Sequence, residues 1–131
     1  CQTILPLLKT DLLDLILSCT NNNLKKKNID WYEKKSLCIV LCSKGYPESY
    51  NNNIEIKNLD NIDSSKPNFI YHAGTKKLDE VVYAVGGRVL NFVSISKNFL
   101  SAKEKINYNL NNLNWSGGFF RKDIGYKVID S

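Results

Sequence analysis

The 131-residue sequence predicts an α+β fold: a mainly antiparallel sheet with helices packed on one face. Two observations point there. Apolar residues recur at helical spacing near both ends of the chain. Between those ends lie five short apolar runs, joined by connections too short for helical crossovers, so hairpins are the natural links. A chain of this length buries roughly two-thirds of its unfolded surface around one core and needs neither disulfide nor metal to fold.

The first expected element is an amphipathic helix from Ile4 to about Thr20, packed on a core, with Leu5, Leu8, Leu12, Leu15 and Ile16 on one stripe and Lys9, Asp11 and Asp14 on other faces. Asn21–Asn23 ends it, because Asn tolerates the left-handed turn at a helix C-terminus. Lys25–Lys35 is a charged connection with Ile29 and Trp31 as anchors. Strands are expected at Leu37–Cys42, Ile54–Ile56, Phe69–His72, Val81–Val85 and Val89–Ser94. Each is short, β-branched or aromatic, and bounded by turn residues such as Gly45, Pro47, Asn51–Asn53, Pro67, Gly74 and Gly86-Gly87. A second helix runs from about Asn98 to Leu113, with Phe99, Ala102, Ile106, Leu110 and Leu113 as its stripe. Gly117-Gly118 breaks it before a last strand near Phe119–Phe120.

Composition excludes several function classes. The 18 Lys+Arg against 13 Asp+Glu leave a net charge of +5, but Arg88 and Arg121 are the only arginines. Base readout and phosphate forks favour Arg, so scattered Lys reads as solvated surface rather than a nucleic-acid footprint. Lys, Asn, Ile and Tyr share A/T-rich codons, which accounts for the bias without function. Cys38 and Cys42 share one expected strand, where four residues separate their Cα atoms by about 13 Å, beyond the roughly 7 Å a disulfide spans. With one His, a Cys/His zinc site is not expected, and Cys1, Cys19, Cys38 and Cys42 read as reduced, buried thiols of a soluble cytoplasmic protein. No run approaches the roughly 20 apolar residues of a membrane span. The sequence holds no Met and opens on Cys1, the expectation being a processed product, a fragment, or a segment of a longer polypeptide.

The dense polar cluster is Tyr71-His72-Ala73-Gly74-Thr75-Lys76-Lys77, followed one expected strand later by Gly86-Gly87-Arg88. Two glycine turns at opposite ends of Val81–Val85 would lie apart, yet Lys76 and Arg88 could reach a shared edge and form an anion pocket, with Gly74 and Gly87 letting backbone approach a phosphate. Two hairpin turns carrying ordinary surface cations fit the same residues. Gly74-Thr75-Lys76 lacks the spacing of a nucleotide P-loop. His72 is either a general base or a structural or substrate-contacting hydrogen-bonder, and no carboxylate lies nearby in sequence to orient it. Asp11 and Asp14 share a helical face and read as solvated. Gly45-Tyr46-Pro47, Lys122-Asp123-Ile124-Gly125-Tyr126 and Trp115 read as packing and turns. These residues offer no nucleophile, no acid/base pair and no nucleotide loop.

Five blocks carry a resemblance: Leu5-Pro6-Leu7-Leu8-Lys9-Thr10-Asp11-Leu12, Ser43-Lys44-Gly45-Tyr46-Pro47, His72-Ala73-Gly74-Thr75-Lys76, Gly86-Gly87-Arg88-Val89-Leu90 and Arg121-Lys122-Asp123-Ile124-Gly125-Tyr126. In order and spacing they resemble the C-terminal third of phosphoribosylamine–glycine ligase, the glycinamide ribonucleotide synthetase family, across essentially the whole chain. The departures are Lys44, where the family usually has Gly, and Thr10, where it often has Ser. The resemblance implies an ATP-grasp ligase of purine biosynthesis, cytoplasmic, that joins glycine to 5-phosphoribosylamine using ATP and Mg²⁺ (or Mn²⁺). The family's metal-binding acids would lie just before Cys1, with Gln2 similar to the last residue of its R-F-G-D-P-E-x-Q pattern. ATP and metal would then be bound upstream, and this segment would carry neither catalytic nor metal-binding residues.

The same resemblance divides the chain into residues 1–20, a helix continuing from the ATP-grasp module, and residues 21–131, a C-terminal α+β domain that packs on that module and walls the substrate site. It implies a ribose-phosphate contact at Arg88 and, less directly, at Lys76, with Thr75, His72, Gly74 and Gly87 around them. A free-standing, non-enzymatic interaction module is the alternative expectation. Neither nucleic acid nor membrane is an expected partner.

Overall fold

The computed structural model describes residues 1–129. The expected C-terminal domain runs on to Ser131, and Asp130 and Ser131 lie outside the described residues.

The antiparallel expectation is met, with the strands divided between two sheets. Strands β1 (Lys35–Ser43), β3 (Asn68–His72), β6 (Arg88–Ser96) and β7 (Gly118–Phe119) form a four-stranded sheet in the order β3-β6-β1-β7. Strands β2 (Ile54–Glu55), β4 (Thr75–Leu78) and β5 (Val81–Ala84) form a second sheet in the order β2-β5-β4. Every pairing is antiparallel. Because strand side chains alternate in direction, the register of β1 on β6 puts Leu37, Ile39 and Leu41 on the same face as Ser94, Phe92 and Leu90.

Helix α2 (Phe99–Leu113) closes that face. Asn98 starts it by accepting the Ser101 N–H at 2.8 Å, and Asn114, in the left-handed region at φ 42°, ends it. Its stripe of Ala102, Ile106, Leu110 and Leu113 is buried against Ile39, Leu90 and Phe92, with Ile56, Ala84 and Val89 extending the same core toward the second sheet. Fully burying a side chain such as Ile39 or Phe92 contributes roughly 1.5–3 kcal/mol.

A polar network, running from the surface Asp63 to the buried Asn68, Ser94 and Asn109, ties the loop before β3 to this core. Asn109 of α2 accepts the Asp63 N–H and donates to the Asp63 carbonyl, both at 2.8 Å. The Asp63 carboxylate accepts from Asn68 at 2.8 Å, and Asn68 in turn accepts from Ser94 at 2.8 Å. Trp115 donates its indole N–H to the Glu55 carbonyl at 2.8 Å, which joins the end of α2 to the second sheet.

The N-terminal segment departs from expectation. Instead of one helix from Ile4, a 3₁₀ turn at Leu5–Leu7 gives way to an extended Leu8, and α1 (Leu12–Thr20) begins afresh at Asp11, whose carboxylate accepts the Asp14 N–H at 3.0 Å. Pro6 sits in the first turn of that 3₁₀ segment, and residues 7–10 pair with 30–32 instead: Lys9 N–H donates to the Asp30 carbonyl and Tyr32 N–H to the Leu7 carbonyl, each at 2.9 Å. Nor does α1 pack on the core: Leu12, Leu13, Ile16 and Leu17 are exposed, and only Ser18 is buried. Further elements lie outside the expected set: β4, a short α3 (Tyr126–Ile129), and 3₁₀ turns at Leu24–Lys26 and Leu59–Asn61. No helix among the described residues is long and apolar enough to cross a membrane.

Candidate functional site: a cavity at Arg88

Strand β4, which the sequence does not predict, decides the site. Thr75–Leu78 folds back on Val81–Ala84 with Thr75 opposite Ala84. The turn before β4 and the turn after β5 therefore meet at one end of a hairpin, where a single strand would have held them apart. Gly74 and Gly86 touch: a Cβ on Gly74 would lie 2.7 Å from Gly86 Cα and 2.7 Å from the Arg88 carbonyl oxygen. The Gly74 N–H donates to the Arg88 carbonyl and the Val85 N–H to the Gly74 carbonyl, both at 2.8 Å. That N–H is thus spent inside the fold. Gly74 is where the two turns pack backbone against backbone.

Ser43, at the end of β1, fixes the other side. Its N–H donates to the Gly87 carbonyl and its hydroxyl to the Gly86 carbonyl, both at 2.8 Å. Arg88 emerges from this clamp at the first position of β6, exposed, beside a cavity of about 510 Å³ lined by Gln2, Tyr46, Ala73, Gly74, Gly87, Arg88 and Asn91. The volume falls in the range of small-molecule sites. One cation and no carboxylate line it. Among the described residues the ion pairs are Lys77–Glu80 and Arg121–Asp123, and Arg88 belongs to neither. Its charge reaches Cys42, across the sheet: burial pushes the Cys42 thiol above its ordinary value, and the guanidinium partly offsets that rise.

The side chains of His72, Thr75 and Lys76 lie outside the Arg88 cavity. His72 Nδ1 and Thr75 Oγ1 are 2.9 Å apart and line a different cavity of about 540 Å³, with Lys57, Asp60 and Lys77 among its walls. Lys76 is exposed on β4 opposite Tyr83 and lines neither cavity: alternation along β4 turns Thr75 and Lys77 toward the His72 cavity and Lys76 to the other face. The thiols also depart from expectation: Cys1 and Cys19 are exposed, and Cys38 and Cys42 are half-buried. Cys38, like Cys42, is shifted upward by burial.

Tyr46, Asn91 and Gln2 were not expected at this site. Asn91 had a sequence signal, as the one amide inside the apolar run Val89-Leu90-Asn91-Phe92-Val93. Among the described residues no group of three or more His, Cys, Asp or Glu side chains is arranged to hold a metal ion. With no carboxylate in the Arg88 cavity, these residues do not fit a magnesium–nucleotide site.

Comparison with known proteins gives a consistent set of relatives. Residues 36–127 match the family model described as phosphoribosylglycinamide synthetase, C domain. The chain is 37% identical to the phosphoribosylamine–glycine ligase of Caldanaerobacter subterraneus over 94% of its own length and 29% of that protein's. It is 40% identical to the Fusobacterium nucleatum ligase over 95% of its own length and 29% of the relative's. A chicken protein named trifunctional purine biosynthetic protein adenosine-3 is 36% identical over 98% of this chain and 13% of the relative. The solved structure of the phosphoribosylamine–glycine ligase of Thermotoga maritima superposes with a TM-score of 0.62 at 19% identity, covering 84% of this chain and 27% of that one. That likeness speaks to the fold. The chain spans less than a third of the length of the ligases it matches.

Proposed function

The chain belongs to the phosphoribosylglycinamide synthetase C-domain family, and on that footing we propose that it is the C-terminal part of an ATP-dependent ligase that joins glycine to 5-phosphoribosylamine, yielding glycinamide ribonucleotide, ADP and phosphate in purine biosynthesis. Its own task is to hold the ribose phosphate. The observation that carries this role is the cavity at Arg88, where a guanidinium outside any described ion pair faces a space without carboxylates. A planar guanidinium can hold a phosphate through two parallel charge-assisted hydrogen bonds. The clamp of Ser43 on Gly86 and Gly87 keeps the start of β6, and hence Arg88, in place before substrate arrives.

Gly87 and Gly74 shape that cavity's wall. Of the other candidates, His72 borders a second space that shares Gln2, Ala73 and Asn91 with the Arg88 cavity, while Thr75 and Lys76 line neither of these two spaces. Gln2 lines the Arg88 cavity, which puts the N-terminal residues of this chain beside the phosphate. ATP and Mg²⁺ (or Mn²⁺) are assigned to residues upstream of those described, since the donor set here does not fit them. In this reading residues 1–20 belong with the ATP-grasp module, and the exposed Leu12, Leu13, Ile16 and Leu17 of α1 supply the apolar contact that docks it. A cytoplasmic location goes with these water-soluble substrates.

The test is product formation. The full-length ligase should form glycinamide ribonucleotide and ADP from glycine, 5-phosphoribosylamine and ATP, and residues 1–131 alone should turn over no ATP. ATP turnover by the segment alone, or no glycine-dependent product from the full-length chain, would overturn the proposal.

A further inference from the structure

Gly45-Tyr46-Pro47 read as a simple turn in the sequence, and the structure gives its tyrosine a more particular position. The turn is held by the Tyr46 N–H on the Ser43 carbonyl at 3.1 Å and the Glu48 N–H on the Gly45 carbonyl at 3.0 Å. It is therefore anchored at Ser43, the residue that clamps Gly86 and Gly87. From it the Tyr46 ring lies directly on Gly87: a Cβ there would fall 2.1 Å from Cδ2, 2.5 Å from Cε2 and 3.1 Å from Cγ. The Tyr50 ring stands beside it, centroids 6.1 Å apart and tilted by 59°. Residue 87 thus has to be glycine so that the aromatic ring can occupy the wall of the Arg88 cavity.

We infer that Tyr46 is a specificity-determining residue, its ring forming the wall against which the ribosyl group of a sugar phosphate packs while Arg88 holds the phosphate. The inference rests on the phosphate site proposed above and deepens it. The cavity's composition matches a ligand with one anionic end and one neutral, hydroxylated end. Arg88 is its single cation, and the remaining polar side chains, Gln2, Tyr46 and Asn91, carry no formal charge. Inorganic phosphate would use Arg88 alone. A ribosyl phosphate would use both ends, and only its affinity would depend on the ring.

The test is competitive inhibition against 5-phosphoribosylamine in the full-length ligase, with ribose 5-phosphate and inorganic phosphate as the two probes. Tyr46→Leu should weaken ribose 5-phosphate on the order of tenfold, the scale of a lost apolar contact in a binding pocket, and leave inorganic phosphate within about twofold. Tyr46→Phe, which keeps the ring, should match the unaltered enzyme. Gly87→Ala, which pushes the ring aside, should repeat the selective loss, so the idea remains open to refutation if Tyr46→Leu fails to fold. Arg88→Ala should weaken both probes. If Arg88→Ala weakens both but Tyr46→Leu and Gly87→Ala affect the two probes equally or not at all, the inference about Tyr46 is overturned and the phosphate site stands. If Arg88→Ala changes neither probe, the phosphate site itself falls.

Discussion

Gly74 and Gly86 are in backbone contact, with no room for a methyl group between them: a Cβ on Gly74 would meet Gly86 Cα at 2.7 Å. This contact brings the two glycine turns together and sets where β6, and with it Arg88, begins. Both opposing atoms are backbone, so no side chain can swing away. Gly74→Ala should destabilise the domain by about 2–3 kcal/mol, in the range of overpacked interiors. Urea denaturation checks this, and a loss below about 0.5 kcal/mol would mean that the turn yields easily.

Asn109 holds Asp63 by two backbone hydrogen bonds from inside the core. Asn109→Ala removes both hydrogen bonds and leaves a cavity the size of the lost amide. A loss of about 2 kcal/mol is expected. Asn109→Leu should not restore stability, because the missing element is polar satisfaction rather than volume. Equilibrium denaturation of the two variants separates these explanations.

Acid should loosen the same loop. Hydrogen bonds from the Ser65 hydroxyl and N–H, with a further one from Asn68, hold the Asp63 carboxyl below the usual carboxylate range, and desolvation opposes them only in part. With the folded-state pKa depressed, the stabilisation is complete above the unfolded-state value of about 3.9 and is lost as pH falls through the folded value. Asp63→Asn should therefore flatten the Tm profile below about pH 4 while leaving its shape above pH 6 unchanged. Identical acid limbs for the two proteins would show that this carboxylate is not linked to folding.

The exposed apolar face of α1 has a separate consequence. Leu13 is 62% exposed and Ile16 51%, so replacing both with Lys should change the stability of the isolated segment by no more than about 0.5 kcal/mol. In the full-length ligase, where the proposal buries this face, the same pair should lower Tm by several degrees. Equal, small effects in both settings would argue that α1 stays in water.

How much of this was legible in the sequence depended on which force set each element. The α2 stripe from Phe99 to Leu113 was readable because burial at a 3.6-residue period leaves a direct trace. The same was true of β1 and β6, whose apolar runs lie at the centre of the sheet. Strand β4 left no such trace. Thr75-Lys76-Lys77-Leu78 is polar and half in water, and its strand character comes from pairing with β5, a tertiary effect. Missing that strand meant placing Gly74 and Gly86 at opposite ends of one strand when they are in contact. Helix α1 failed differently: its periodicity says that one face is apolar, not what covers it. Arg88 could be singled out as an arginine next to two glycines, whereas Tyr46 could not, because its role depends on Gly87 lying beneath its ring.

Arg88 as the phosphate ligand is the centre of the proposed role. Steady-state kinetics of Arg88→Ala in the full-length ligase test this most directly, with each substrate varied in turn. Losing a charge-assisted hydrogen bond costs roughly 1.5–3 kcal/mol, so the KM for 5-phosphoribosylamine should rise by about 10- to 150-fold, while the KM values for ATP and glycine stay within about twofold. An unchanged KM for 5-phosphoribosylamine, or an equal rise for all three substrates, would contradict it.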